Sequence, residues 1–237
     1  MLTAPSVSVV IPVLNEQEGI AATLESARAQ GVERIVVDAG SDDASLEIAR
    51  DSGADRVLRA APGRASQMDA GWRIASGDIV LFLHADTRLG SGWLEAVRGA
   101  LSCSTRAGGA FRLRFDSDRW IYRVLEAGVD LRCRLGGPPY GDQALFVRRE
   151  VLVRAEGLAH VPIFEDLDLV RTIRGAGGLA LLRESVSTSA RRYEANGALR
   201  MVARNLLAIA GYAVGADRQS IARWYRAMPA RPQPRTP

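Results

Sequence analysis

The chain has 237 residues, of which 47% are hydrophobic and 24% charged, and this balance excludes an intrinsically disordered protein. It contains no lysine, so all 31 basic residues are arginine and catalysis through a lysine side chain is excluded. The formal net charge of +4 is uneven, because residues 191–237 carry a net +7 and leave −3 for residues 1–190.

The cysteines and the N-terminal stretch indicate the compartment. Cys103 and Cys133 are not part of a C-x-x-C pair, so the sequence predicts reduced thiols and neither a zinc site nor a disulfide framework. The apolar run 7–14 has no basic residues before it and contains Pro12, unlike a secretory signal. We therefore expect a cytoplasmic protein.

The first 85 residues alternate apolar runs with helical patterns. Asn15 and Glu18 have the spacing of a capping-box variant and predict a helix from there to about Gln30. Parallel strands need crossover connections, so the alternation predicts an α/β fold with a mostly parallel central sheet and helices on both faces. The predicted strands are 7–14, 34–38, 57–59 and 79–83, and two further helices are predicted over 41–53 and 64–76.

The second half predicts strands over 109–115 and 144–147 and a helix over 119–135, with an acidic helix start at 164–171. A further helix is predicted over 197–214, with an apolar stretch of about ten residues, short of the roughly 20 that span a bilayer. We expect three parts: a catalytic domain over 1–196, a C-terminal helical extension over 197–227 and a disordered tail over 228–237.

Polar residues follow three of the predicted strands. Glu16 follows the first strand, Asp38 ends the second, and Asp86 comes shortly after the fourth. Each could simply cap the next helix, but ligands of open α/β sheets bind beyond the carboxyl ends of the strands. Magnesium and manganese are held by one or two carboxylates together with substrate phosphates. The pattern therefore favours a diphosphate site, with Asp86 as the best metal ligand.

These motifs, in this order, resemble the family 2 glycosyltransferases, whose nucleotide-binding fold is of the GT-A type. The resemblance covers about residues 6–190 and rests on the segments 9–16, 36–43, 63–78 and 83–86. It implies that a nucleotide-sugar, with UDP favoured, is the donor and that Mn2+ or Mg2+ is the cofactor. The residues it implies for the donor are Pro12, Glu16, Asp38, Arg64 and Asp69, with Asp38 on the base.

The segment 83–86 occupies the D-x-D position of that family, so the resemblance assigns the metal to Asp86. His84 stands where the first aspartate is usual. A neutral imidazole could bind the metal, donate a hydrogen bond to the sugar, or be purely structural. The late acidic motif of the family corresponds to Glu165-Asp166, which implies that Asp166 is the catalytic base of an inverting transfer.

The segments 141–143 and 189–193 resemble a narrower bacterial subfamily, associated with radical-SAM and selenium-domain proteins. In this resemblance Gln143 lies on the acceptor side and Arg192 contacts the donor diphosphate, since arginine suits phosphate. A solvent-exposed arginine pair explains 191–192 equally well. The acceptor is an unknown hydroxyl compound, and a lipid is one candidate.

The helices of 197–227 combine arginines with Trp224, Tyr225 and aliphatic residues. This mixture suits contact with the inner face of the cell membrane, and packing on the catalytic domain is the rival interpretation. Two other functions are left open: a degenerate protein that binds nucleotide-sugar without turnover, and a sugar nucleotidyltransferase. Nucleic-acid binding is not expected, because no known nucleic-acid module is present.

Overall fold

The structure is a computed structural model that describes residues 4–227, and the predicted tail 228–237 lies outside the described residues. The strands are β1 (Val7–Val13), β2 (Val32–Asp38), β3 (Arg56–Arg59), β4 (Ile79–Phe82), β5 (Thr87–Leu89), β6 (Arg106–Phe115), β7 (Phe146–Arg148) and β8 (Gly178–Thr188). The helices are α1 (Ile20–Ser26), α2 (Ser45–Asp51), α3 (Arg64–Ile74), α4 (Trp93–Leu101), α5 (Trp120–Arg134), α6 (Arg149–Arg154), α7 (Glu165–Ala176), α8 (Arg191–Asn196), α9 (Ala198–Ala213) and α10 (Arg218–Ala227).

All eight strands form one sheet in the order β3-β2-β1-β4-β7-β6-β8-β5. The first four are parallel, as predicted. β7 then pairs antiparallel with both β4 and β6, and β5 pairs antiparallel with β8. β6 and β8 are parallel to each other. The sheet is therefore mixed, and its second half brings residues from the end of the chain beside the turn after β4.

Alternate residues of β1 enter two separate cores. Val9 and Ile11 pack in the core that contains α1 and α4, while Val10 faces the core that contains α3, α6 and α7. All three are fully buried. A strand covered on both faces is apolar at nearly every position, and the one polar residue of β1, Ser8, donates its hydroxyl to Glu33 at 2.6 Å. This explains the nearly continuous apolar run and confirms the prediction of helices on both faces.

The capping-box prediction at Asn15 is wrong, because α1 begins only at Ile20. Asn15 instead adopts a left-handed backbone conformation (φ 54°), and its side-chain oxygen accepts a hydrogen bond from the Asp42 N–H at 2.9 Å. Asn tolerates this conformation better than most residues. Asn15 thus ties the two loops at the strand ends together.

The predicted helix over 197–214 is confirmed as α9, but only part of its apolar surface is buried. Met201 and Ala208 point inward, whereas Leu199, Leu206 and Leu207 are 59–74% exposed. Within residues 4–227 there is no helix that combines the length and the hydropathy needed to cross a membrane.

Candidate active site

A cavity of about 410 Å³ opens at the carboxyl edge of β4 and β8. The turn after β4, the start of α7, the loop before β7 and the start of α8 form one wall of it, and α9 and α10 form the other. The charged and imidazole side chains that line the first wall are Arg64, His84, Asp86, Asp142, Glu165, Asp166 and Arg192. Six of these seven residues were predicted as site residues or belong to the predicted acidic motif.

Close packing holds the turn that carries His84 and Asp86. The Thr23 hydroxyl donates to the Ala85 carbonyl at 2.8 Å, and the Ser189 N–H donates to the Asp86 carbonyl at 3.0 Å. A Cβ on Gly19 would lie 2.9 Å from the Ala85 oxygen, too close for any larger residue. The backbone of this turn is therefore held between α1 and β8, and its two polar side chains face the cavity.

The His84 imidazole is neutral in this site. Burial, followed by the positive charges of Arg64 and Arg192, lowers its pKa well below the usual value. A Cβ on Gly141 would lie 2.9 Å from His84 Nε2, so the ring fits against a glycine. A neutral imidazole retains a lone pair, which suits a hydrogen-bond acceptor or a metal ligand.

Asp166 lies in the first turn of α7. Its carboxylate accepts hydrogen bonds from the Gly141 N–H at 2.9 Å and from the Leu167 N–H at 2.8 Å. Phe164, which precedes the helix, has a left-handed backbone conformation (φ 67°), and such strain is concentrated at functional sites. Burial and the neighbouring Glu165 raise the pKa of Asp166, which favours a group that accepts a proton.

Asp142 is a cavity residue to which the sequence analysis assigned no role. Burial and the nearby Asp166 raise the pKa of its carboxyl to about 6. Its Oδ1 is inaccessible and has no hydrogen-bond partner among residues 4–227. The motif Gly141-Asp142-Gln143 was the available signal, but the sequence does not show which of its three residues faces the site.

The predicted nucleoside contacts Pro12, Glu16 and Asp38 lie together at the ends of β1 and β2, where Pro12 pairs with Val37. They do not line the cavity itself. Asp38 is fully buried and accepts hydrogen bonds from the Gly40 and Ser41 N–H groups at 3.0 and 3.1 Å.

Glu16 is paired with the arginines that follow β8. Arg191 contacts one of its carboxylate oxygens at 2.9 Å and Arg192 the other at 3.2 Å. Two predicted donor residues, Glu16 and Arg192, are therefore held against each other, at the boundary between the strand ends and the cavity.

The structure places the other two predicted binding residues away from the cavity. Asp69 accepts hydrogen bonds from Arg73 Nε at 2.8 Å, the Leu158 N–H at 3.0 Å and the Trp72 indole at 2.8 Å, and these interactions, against the opposing effect of burial, lower its pKa to about 2. Gln143 is buried and donates to the Phe111 carbonyl at 2.9 Å. Both side chains are saturated by contacts within the protein, which gives each a structural position.

The second wall of the cavity was not predicted. Met201, Ala208 and Ile209 of α9 and Ala222 and Tyr225 of α10 line it. Helical periodicity identifies the apolar stripe of α9, but it does not reveal which helix side meets a cavity.

The acidic groups of the cavity supply part of a site for a divalent metal. Within residues 4–227 there is no set of three or more His, Cys, Asp or Glu side chains arranged to bind a metal by themselves. Asp86, with the neutral His84 on the same turn, supplies one carboxylate. Magnesium and manganese sites commonly use one or two carboxylates and complete their coordination with substrate phosphates, so these residues fit a metal that is shared with a diphosphate.

The α/β fold with a carboxylate-lined cleft beyond its strands is the architecture from which the class of protein is identified. The family model described as glycosyl transferase family 2 matches residues 8–156, well over half of the chain. The chain therefore belongs to glycosyl transferase family 2.

Two curated relatives match part of the chain. An uncharacterized glycosyltransferase of Mycobacterium tuberculosis is 35% identical over 91 residues, which cover 38% of this chain and 41% of the relative. The undecaprenyl-phosphate 4-deoxy-4-formamido-L-arabinose transferase of Aeromonas hydrophila is 38% identical over 93 residues, covering 34% of this chain and 28% of the relative. The matched part thus spans less than half the length of these relatives.

Solved structures share the fold. Glucosyl-3-phosphoglycerate synthase of M. tuberculosis, in complex with Mn2+, UDP and phosphoglyceric acid, has a TM-score of 0.61 and 23% identity over 90% of this chain and 80% of that chain. S. aureus TarS, in complex with UDP, has a TM-score of 0.61 and 15% identity over 78% and 60%. At these identities the likeness shows the fold, and the predicted GT-A architecture is confirmed.

Proposed function

We propose that the protein is a metal-dependent, inverting glycosyltransferase that moves a sugar from a nucleotide-diphosphate sugar, with UDP favoured, to an acceptor hydroxyl. One observation carries the proposal: Asp86 and Asp166, the residues that the family resemblance links to metal and base, line the same cavity. A binding protein without catalysis has no need of a base, so this pairing favours an enzyme.

In the proposed reaction Asp166 accepts the proton of the acceptor hydroxyl while that oxygen attacks the anomeric carbon. The bond from that carbon to the diphosphate breaks, and the configuration inverts in this single displacement. The raised pKa of Asp166 suits the step, because the carboxylate is a stronger base than an exposed one.

Asp86, with His84 as the second candidate ligand, would hold Mn2+ or Mg2+. The ion, when bound, stabilises the charge of the departing diphosphate. Support comes from relatives in fold: glucosyl-3-phosphoglycerate synthase has been solved with Mn2+ and with Mg2+, each together with UDP.

The donor would extend from the cavity to the ends of β1 and β2, where Pro12, Glu16 and Asp38 lie. Arg192 lines the cavity and also pairs with Glu16 at 3.2 Å. In this proposal Arg192 exchanges part of that ion pair for the donor diphosphate, while Arg191 keeps Glu16 neutralised. Arg64, which contacts Glu165 at 3.3 Å, is a second cation for the diphosphate.

The test is a thermal-shift panel of UDP, GDP, CDP and TDP, each with and without Mn2+. A ligand at about 100 times its Kd adds roughly 2.7 kcal/mol, which raises Tm by several degrees for a chain of this size. We expect a Mn2+-dependent shift with UDP that is lost in Asp86→Asn. No shift with any nucleotide would contradict a donor site and would favour a degenerate member of the fold.

The proposal also covers the acceptor and the location of the protein in the cell. The transferase of A. hydrophila is named for a polyprenyl phosphate, and Leu199 and Leu207 of α9, with Val214 directly after it, are exposed apolar side chains. We therefore propose a lipid-associated acceptor and peripheral contact with the inner membrane face. Co-sedimentation of the full chain with anionic vesicles tests this contact.

Membership of the narrower subfamily associated with radical-SAM and selenium-domain proteins also stays a proposal, supported by the motif over 141–143.

A further inference from the structure

The two walls of the cavity differ in chemical character. The wall built by α9 and α10 presents the apolar side chains of Met201, Ala208, Ile209 and Ala222, with Asn205, Tyr225 and Arg226 as its polar members. These three make contacts within the protein, since the Tyr225 hydroxyl donates to Asn205 Oδ1 at 2.7 Å and Arg226 donates to the Pro162 carbonyl at 3.1 Å. A surface of this kind binds apolar groups by removing them from water and makes no demand for a polar partner.

The opposite wall carries an excess of carboxylates. Asp86, Asp142, Glu165 and Asp166 line it together with only two arginines, Arg64 and Arg192. Arg64 is in contact with Glu165 and Arg192 with Glu16, so both cations are already partly neutralised.

Once Asp86 and the arginines serve the donor, Asp142 and Asp166 are the charged groups nearest to an incoming acceptor. Asp142 Oδ1 is buried and has no partner in the described part of the chain. A buried acceptor oxygen of this kind is stabilised by a hydrogen-bond donor. A hydroxyl can donate, whereas a fully ionised phosphate has no proton to donate and would be repelled by both carboxylates.

We infer that the acceptor is an uncharged alcohol whose hydroxyl is carried on an apolar body that packs against α9 and α10. This inference rests on the proposed function and names the acceptor class for the same cavity. It selects a free alcohol over a lipid phosphate, because Asp142 and Asp166 flank the reacting end.

Two matched pairs of probes test the inference on the full chain with UDP and Mn2+ present. Methyl and octyl β-D-glucopyranoside differ only in alkyl length, and farnesyl phosphate is farnesol whose hydroxyl is replaced by a charged phosphate ester. By isothermal titration we expect octyl glucoside, below its critical micelle concentration, to bind at least about tenfold more tightly than methyl glucoside. Burial of two or three methylene groups is enough for this factor. We also expect farnesol to bind more tightly than farnesyl phosphate.

Matched variants on α9 test whether the alkyl chain binds inside the cavity. Ile209→Asn places a polar group on the cavity wall, while Leu206→Asn makes the same kind of change at a position that is 61% exposed. The octyl-to-methyl affinity ratio should fall toward one in Ile209→Asn and stay at the wild-type value in Leu206→Asn. Ala222→Gln on α10 is the second cavity variant, and it should lower the ratio in the same way.

Equal binding of the two glucosides by the wild type would overturn the inference, as would tighter binding of farnesyl phosphate. An equal loss of the ratio in Leu206→Asn and Ile209→Asn would place the alkyl chain outside the cavity and also overturn it. Failure of the proposed function would be distinguishable from failure of this inference. It would appear as the absence of a Tm shift with UDP and Mn2+, which is measured without any acceptor.

Discussion

The two regions that enclose the cavity are built in opposite ways. In β1 the residues Val9, Val10 and Ile11 are each 0% exposed, because helices cover both faces of the sheet. In α9, by contrast, two residues are buried, Met201 and Ala208. Leu199 at its start is 74% exposed, and Val214, directly after its end, is 84% exposed. The strand ends are thus rigid supports for charged groups, whereas the helical wall is held by few contacts.

This difference separates two tasks. Catalytic groups must be held in one geometry, so they belong on a tightly packed support. A wall that contacts the apolar body of an acceptor needs only shape and hydrophobicity. We therefore expect substitutions on the sheet side to change rate or stability strongly, and equivalent changes near α9 and α10 to have smaller effects.

The largest effect is expected for Asp166→Asn. An amide cannot take the proton of the acceptor hydroxyl, so the transfer rate should fall by roughly 10²- to 10⁴-fold. Initial rates of sugar transfer measure this loss, and circular dichroism checks that the variant is folded. Transfer close to the wild-type rate by a folded variant would show that Asp166 is not the base.

A smaller effect, on stability, is expected for Asp69→Asn. Four donors converge on this carboxylate, including Arg73 Nε at 2.8 Å and His160 Nε2 at 3.2 Å. Loss of the charge should lower the free energy of unfolding by about 2 kcal/mol at pH 7. Because the native pKa of Asp69 is depressed to about 2, its contribution is complete above about pH 4 and disappears as the pH falls toward 2.

Asp168→Asn is the matched control near the C-terminal helices. Asp168 pairs with Arg218 of α10 at 2.8 Å but is partly exposed. Since partly exposed ion pairs contribute about 1 kcal/mol or less, urea unfolding should show a smaller loss than for Asp69→Asn. Equal losses in the two variants would contradict the contrast between the regions.

An effect of the opposite sign is expected for Asp142→Asn. The native pKa of Asp142 is raised to about 6, so the folded protein holds a proton that the unfolded chain releases near pH 4. The wild type therefore loses stability as the pH rises from 4 to 6. Above pH 6 the free energy of unfolding of the variant should exceed that of the wild type by about 1 to 2 kcal/mol. The difference is smaller than for a fully buried carboxyl, because the residue is only partly enclosed. Thermal unfolding at pH 4 and pH 7.5 measures this, and an identical difference at both would contradict it.

The sequence alone determined the parallel half of the fold and most of the acidic site. Apolar runs such as 7–14 can be recognised as strands in the sequence, since a strand that is buried on both faces has few polar residues. Glu16, Asp38 and Asp86 could be grouped in advance because the carboxyl ends of parallel strands meet at one edge. The family resemblance then connected them to Asp166, which lies 80 residues after Asp86.

Only the tertiary structure decided which side chains enter the cavity. Asp69 and Gln143 match the sequence motifs, but hydrogen bonds to Leu158 and Phe111 turn them inward. Asp142 and the wall formed by α9 and α10 reach the cavity because antiparallel pairing of β7 with β4 and the return of the chain after β8 place them there. Such contacts depend on long-range packing between segments that are distant in the chain, and the local sequence pattern carries no record of that packing.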